Sequence, residues 1–295
     1  MRLLLGCMEL LDRSATETAV AAALEIGITT FDHADIYGNG AAEAAFGEML
    51  AASPGLRERI QIQTKCGIRL DEGLYDLRGE TIVRRVAASL ERLRTDVIDT
   101  LLLHRPDPLA DAAEIAEALT SLHGQGLVRS FGVSNMSHHQ IAHLQRHLEL
   151  PLVANQLEMG LHHRGWVEAG VLVNTADAAA VGFPLGTIEH CAANGIQLQA
   201  WGPLARGRFS GRPQTETDER TAAAVAALAA KHDTTPETVL LWWLQRHPAG
   251  IVPVVGTTNP DRIRACRDAA QEGAVPLSHE DWYALWITAR GRPLP

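Results

Sequence analysis

The chain repeats one kind of unit eight times: a short apolar run, then a longer alanine-rich segment whose apolar residues recur at helical spacing. The runs are LLLGCM, ITTFDH, RIQIQTK, VIDTLLLH, VRSFGVS, LVANQ, IQLQAW and GIVPVVG. The spacing predicts helices near 14–26, 41–51, 79–93, 110–124, 137–148, 184–194, 219–231 (continued over 236–247) and 260–270, with a loop over 159–183. A last amphipathic segment near 278–289 carries Trp282, Leu285 and Trp286. Continuous apolar strands separated by helices describe a parallel sheet whose outer face the helices cover. Eight such units in 295 residues predict an α/β fold, a (β/α)8 TIM barrel, as a single domain over 1–295. An open doubly wound sheet is the alternative, but no G-x-G-x-x-G follows the first run, and no linker or charge block divides the chain.

A formal net charge of -9 argues against nucleic acid as a partner, since phosphate binding needs a basic surface. Cys7, Cys66, Cys191 and Cys266 are far apart and form no C-x-x-C pair, which fits reduced cytoplasmic thiols better than a zinc ribbon or disulfide framework. The opening MRLLLGCMELL superficially suggests export. Its apolar run before Cys7 is shorter than the roughly 7–15 residues of a signal core, so a buried first strand is expected. No stretch reaches the roughly 20 apolar residues of a membrane span.

Barrel enzymes carry their chemistry at the C-terminal ends of the strands. Here those ends are Asp32, Lys65, His104, Ser134 with Asn135, Gln156, Trp201, and Gly256 with Thr257. Each alone has a structural explanation; their recurrence in phase favours a site. FDHADIYGNG could be a metal cluster or a tyrosine with acidic helpers. Asp32 and His33 are adjacent on a strand and point to opposite faces, and Lys65 puts a cation where a metal would sit. No metal site is therefore expected, and His33 is read as structural. His162 and His163, in the long loop, are expected to be solvated, with substrate contact possible. Trp242 and Trp243 are read as packing or rim residues, and Cys66 as an inert thiol beside Lys65.

Asp, Tyr, Lys and His together suit one kind of reaction. A free phenol has a pKa near ~10 and donates its proton reluctantly. A neighbouring ammonium lowers that pKa, a carboxylate holds the ammonium, and a neutral imidazole orients a carbonyl oxygen. Such a set fits a tyrosine acid protonating a carbonyl that receives hydride from elsewhere.

FDHADIYGNG, TKCGI, SLERLRTDVIDTLLLHRPDP, GLVRSFGVSN, ANQLE, AWGPLARGRFSG and VPVVGTTNPDRIRA resemble, in order and over nearly the whole chain, the aldo-keto reductase superfamily. The wording of HADIYG and HRPDP is similar to a bacterial subgroup of general oxidoreductases. The resemblance implies Tyr37 as general acid, Lys65 lowering its pKa, Asp32 bridging Lys65, and His104 positioning a small-molecule carbonyl substrate. It implies NADPH, with NADH possible, bound without a Rossmann fold. Ser134, Asn135 and Gln156 would hold the carboxamide and Trp201 would stack on the nicotinamide. Gly202, Leu204 and Arg206 would flank the pyrophosphate; Gly256, Thr257, Thr258 and Arg262 would take the 2′-phosphate end. A phosphate at a helix N-terminus beside an arginine is also favoured electrostatically.

The chain departs from the family pattern in three places. Gly256 stands where a lysine often meets the 2′-phosphate, which leaves selectivity largely to Arg262, and Cys266 replaces a polar residue near adenine. The first strand begins almost at Met1, without the hairpin that usually plugs the barrel floor, so the floor is closed differently or by preceding residues. Substrate preference is expected in the 159–183 loop and the C-terminal ARGRPLP. Some relatives of this fold bind NADPH as regulatory subunits, the alternative to an enzyme.

Overall fold

The computed structural model describes residues 2–295. Eight parallel strands close into a barrel in the order β1 (Leu4–Gly6), β10 (Val252–Val255), β9 (Gln197–Trp201), β8 (Leu152–Glu158), β7 (Val128–Ser134), β6 (Ile98–Leu103), β3 (Gln61–Cys66) and β2 (Thr30–Asp32). The remaining two strands, β4 (Ile68–Arg69) and β5 (Leu74–Tyr75), form an antiparallel hairpin beyond β3.

Alternation along the strands separates two environments. Leu5, Phe31, Ile62, Leu101, Leu103, Val133, Leu198 and Val255 are buried in the main core shared with the helices. Their neighbours turn inward, where Leu4, Val252 and Val254 form a small separate apolar cluster. Asp32 on β2 and Gln156 on β8 are hydrogen-bonded although their strands are not adjacent. Only side chains crossing the barrel interior can meet in this way.

The helices are α1 (Arg13–Glu25), α2 (Ala41–Ala51), α3 (Gly79–Leu93), α4 (Ala112–Gly124), α5 (His138–Gln145), α6 (Gly165–Val171), α7 (Thr187–Ala193), α8 (Glu216–Lys231), α9 (Pro236–Gln245), α10 (Pro260–Arg264), α11 (Arg267–Ala270) and α12 (His279–Arg290). In α3 the buried Ile82, Val86, Ser89 and Leu93 lie on one stripe, the pattern of a helix laid on a sheet. Asp12, Asp111, Ser137, Thr215, Thr235 and Ser278 each accept a backbone N–H as N-caps, which satisfies donors that the first turn leaves free. Trp243 and Trp282 stack at 5.1 Å and exchange indole-to-carbonyl hydrogen bonds of 3.1 and 2.8 Å, so α12 is locked onto α9 and Trp243 is a packing residue. The four cysteines are free and buried. Among the described residues no helix is long and apolar enough to cross a membrane.

Several boundaries differ from the sequence expectation for local reasons. The helix expected to 148 stops at Gln145, whose amide donates to the carbonyls of Leu148 and Leu150 and accepts from Leu152 N. The segment expected as one helix over 260–270 breaks between α10 and α11. Thr235 and Thr238 both donate to the Ala265 carbonyl, drawing it away from helical pairing. The 159–183 loop contains α6 and a 3-10 turn, Ala176–Ala180.

Candidate active site

Tyr37, Lys65, Asp32 and His104 come together at the C-terminal mouth of the barrel. Lys65 Nζ donates to Asp32 Oδ2 at 2.7 Å, to the His33 carbonyl at 2.9 Å and to Tyr37 Oη at 3.3 Å. The Asp32 and Lys65 side chains are only 3% and 1% exposed, so this is a salt bridge inside the protein, where neither charge is tolerable without the other. Tyr37 opens a 3-10 turn in which Gly38 and Asn39 have φ of 56° and 55°. At Gly38 a Cβ would meet Leu11 Cδ2 at 2.6 Å. The positive φ favours glycine there, and any larger residue would also have to push the exposed Leu11 side chain aside. The His104 ring stands edge-on to Tyr37, with centroids 6.2 Å apart. Its Nδ1 is buried without a partner, which leaves Nε2 as the nitrogen for any ligand.

Lys65 lowers the Tyr37 pKa, as expected, but against an opposing effect of burial. Burial pushes the Tyr37 phenol above its ordinary pKa, Lys65 pulls it down and Asp32 raises it again, with a net upward shift. The lysine offsets part of the burial effect and does not by itself make the phenol more acidic than in water. Burial also works against the Lys65 charge, but Asp32 and Tyr37 outweigh it and the ammonium is held above its ordinary value. Burial, with Lys65 and Arg105 nearby, pushes His104 down to about 3, so the imidazole is neutral at neutral pH and its N–H can donate to a carbonyl oxygen. The set can keep a proton on the phenol, a positive charge beside it and a neutral donor opposite.

The flanking motif residues face elsewhere. His33 is fully buried, packs edge-on to Phe46 at 4.6 Å, and is pushed to about 3 by burial and then by Lys65. Asp35 lies on the helix side; its carboxylate has no hydrogen bond, and Arg85 is 3.6 Å away.

A second group lies along the mouth. Ser134 Oγ donates to the Gln156 carbonyl at 2.9 Å. Asn135, with φ of 57°, donates to Ser134 Oγ and the His104 carbonyl. Its Oδ1 accepts the indole N–H of Trp201 at 3.2 Å, fixing that ring at the end of β9. Gln156 points inward, with Nε2 donating to Asp32 Oδ1 and Gln199 Oε1. Its amide N–H groups are thus engaged within the barrel, which leaves its Oε1 for a carboxamide. Arg105, Met136, Glu158 and His163 join Asn135 and Trp201 around a cleft. His162, expected in solvent, is instead half-buried with Nε2 3.4 Å from Glu158; His163 is exposed and 3.6 Å from the same carboxylate.

Gly202, Leu204 and Arg206 lie on the loop after β9, where Ala205 and Arg206 both have positive φ, 47° and 54°. Such strain in non-glycine residues gathers at ligand loops. Gly207 sits against the Arg262 guanidinium, since a Cβ there would lie 3.2 Å from Nη2, and Arg212 packs on the same glycine. Arg262 has only a loose 3.8 Å ion pair with Glu237. Gly256 has nothing within 4 Å of a Cβ position; with Thr257 and Thr258 it forms the approach to α10. Cys266 is buried, its Sγ donating to the Arg262 carbonyl. An arginine cradle with a bare glycine and open space beside it suits phosphate groups. Among the described residues no group of three or more His, Cys, Asp or Glu is arranged to hold a metal ion.

Two kinds of site residue escaped the sequence reading. Gln63 and Gln199 touch the Asp32 network from below; their signal was phase, since each lies two residues before Lys65 or Trp201 on the same face. Arg212 carries no such signal and reaches the cradle only through the fold of its loop. The segments expected to govern substrate preference are tied together, with Arg290 and Arg292 3.3 and 2.9 Å from Asp177.

Residues 2–286 match the Aldo/keto reductase family. The chain belongs to that family and is an NAD(P)H-dependent oxidoreductase. It is 38% identical to the uncharacterized oxidoreductase YcsN of Bacillus subtilis, over 92% of this chain and 87% of that protein. It is also 38% identical to the 6-dehydroglucose reductase of Agrobacterium fabrum, over 94% of this chain and 88% of that protein. Among solved structures it resembles a thermostable aldo-keto reductase in complex with epalrestat, with a TM-score of 0.75 and 25% identity over 98% and 95% of the two chains.

Proposed function

We propose that the protein reduces an aldehyde or ketone to an alcohol with NADPH, and that Tyr37 is the general acid. The observation carrying this reading is the buried Asp32–Lys65 pair with its ammonium 3.3 Å from the Tyr37 hydroxyl. When bound, the reduced nicotinamide supplies the hydride that the carbonyl carbon accepts. Tyr37 gives its proton to the carbonyl oxygen, which completes the alcohol, and Lys65 stabilises the phenolate left behind. His104, held neutral, donates a hydrogen bond to the same oxygen and fixes its direction.

Ser134, Asn135 and the free Oε1 of Gln156 would hold the carboxamide, and the indole of Trp201 would support the ring. Gly202, Leu204, Arg206 and Arg212 would line the pyrophosphate. Arg262, with Gly256, Thr257 and Thr258, would meet the 2′-phosphate, and this favours NADPH over NADH. Arg105, Glu158 and His163 make the cleft polar, and a relative at 38% identity is named a 6-dehydroglucose reductase. Polyhydroxylated aldehydes therefore head the candidate substrates.

The test is oxidation of each reduced cofactor against simple activated aldehydes, ketones and sugar-derived aldehydes. Turnover with NADPH is expected. Tight NADPH binding without turnover across the whole panel would favour a regulatory subunit and contradict the enzyme reading.

A further inference from the structure

Below the salt bridge the barrel is filled in an unusual way. Barrel interiors are normally packed with branched apolar side chains, yet here amides from β3 and β8 converge on one carboxylate oxygen and an amide from β9 holds both of them. Gln63 Nε2 donates to Asp32 Oδ1 at 2.6 Å and to Gln199 Oε1 at 2.8 Å. Gln199 Nε2 returns a bond to Gln63 Oε1 at 3.0 Å and gives another to Gln197 Oε1 at 3.1 Å. Gln156 Nε2 completes the set, 3.1 Å from Asp32 Oδ1 and 3.0 Å from Gln199 Oε1. Gln63, Gln156 and Gln199 are each 2% exposed.

Burying three amides costs free energy unless each is paired, and here every Nε2 serves either Asp32 or an amide in contact with one that does. Amide N–H groups do not give up protons at neutral pH, so the column is no proton path. What it can do is orient charge. With Oδ1 occupied by two donors, Oδ2 is the oxygen left for Lys65. The phenol contact is the longest of the three that Lys65 makes, and it is the first to go if the carboxylate draws the ammonium inward.

We propose that Gln63 and Gln199 are positioning residues for the Tyr37 acid: their paired amides pin Asp32 so that Lys65 remains within reach of the phenol. This rests on the reading of Tyr37 as the acid, but its test can be separated from that reading. Gln63→Met and Gln199→Met keep length and volume while removing the amide donors; Gln61→Met, on the exposed end of β3, controls for substitution in the strand. The direct readout is the fraction of Tyr37 ionised at a fixed pH of about 10.5. It is taken from Cζ-labelled tyrosine spectra in which Tyr37→Phe identifies the signal among the three tyrosines.

Both amide variants are expected to show less phenolate than wild type, Gln63→Met the more so, with kcat down about tenfold and KM little changed. Gln61→Met should match wild type. Unchanged phenolate fractions in a folded amide variant would overturn the proposal, and either variant alone decides. If the wild-type protein reduces no carbonyl, the reading of the acid fails and the phenolate comparison still judges the clamp.

Discussion

Lys65 Nζ is 3.3 Å from the Tyr37 hydroxyl and 5.2 Å from the centroid of the same ring. The ammonium is thus closer to the phenol oxygen than to the ring centre, where it acts most strongly on the charge that appears when the proton leaves. Burial already raises the phenol above its ordinary range. The lysine therefore matters chiefly as the charge that keeps proton loss from becoming prohibitive.

His104 should leave no trace in the pH profile between about 5 and 8. Its imidazole is pushed down to about 3 by burial and then by Lys65 and Arg105, so its protonation state is constant over that range. A plot of kcat against pH checks this. An inflection near the ordinary histidine value of ~6.5 that disappears in His104→Gln would show that the ring titrates during turnover.

Arg262 should discriminate between the cofactors. Its guanidinium is weakly paired, at 3.8 Å from Glu237, and lies beside Gly207 and Arg212. Losing a hydrogen bond to a charged group costs roughly 1.5–3 kcal/mol, about 10–100-fold in affinity. Arg262→Ala should weaken NADPH by that factor, measured by quenching of tryptophan fluorescence, and weaken NADH far less. Equal losses for both cofactors would place the 2′-phosphate elsewhere.

Asp35 should cost stability as pH rises. Burial raises its carboxyl to about 7, Arg85 opposes this only in part, and Glu43 adds to it. Unfolded, the group titrates near ~3.9, so between about 4 and 7 the folded state holds a proton that the unfolded state has lost. Stability falls through that window, and the cost is complete above about 7. Asp35→Asn should therefore be more favourable at pH 8 than at pH 5, by about 2–3 kcal/mol. Urea unfolding at the two pH values measures it; an equal effect at both would mean that Arg85 keeps the carboxylate charged.

Much of this molecule is legible in its sequence because two periods are superimposed. The helical spacing announces the outer layer, and the apolar runs ending in Asp32, Lys65, His104, Ser134 and Gln156 announce the mouth. Gln63 and Gln199 were hidden by the same logic, since a polar residue inside an apolar run looks like noise until the barrel closes and places both beneath Asp32. Arg212 reaches Gly207 through a loop whose course follows from positive φ at Ala205 and Arg206, which no spacing encodes. The net direction of the Tyr37 shift was not legible for another reason. Neighbouring charges can be inferred from motif residues, but the depth of burial that opposes them is a property of the assembled barrel.

The most direct test of the central claim is kcat of Tyr37→Phe for NADPH-driven carbonyl reduction, with cofactor affinity measured on the same preparation. This substitution is cleaner than Lys65→Met, which would strand the Asp32 charge inside the barrel at a cost of about 3–5 kcal/mol. Loss of the phenolic proton should lower kcat by about 10²–10⁴-fold while NADPH binds as in wild type. A Tyr37→Phe protein that turns over at the wild-type rate would show that the proton comes from another group.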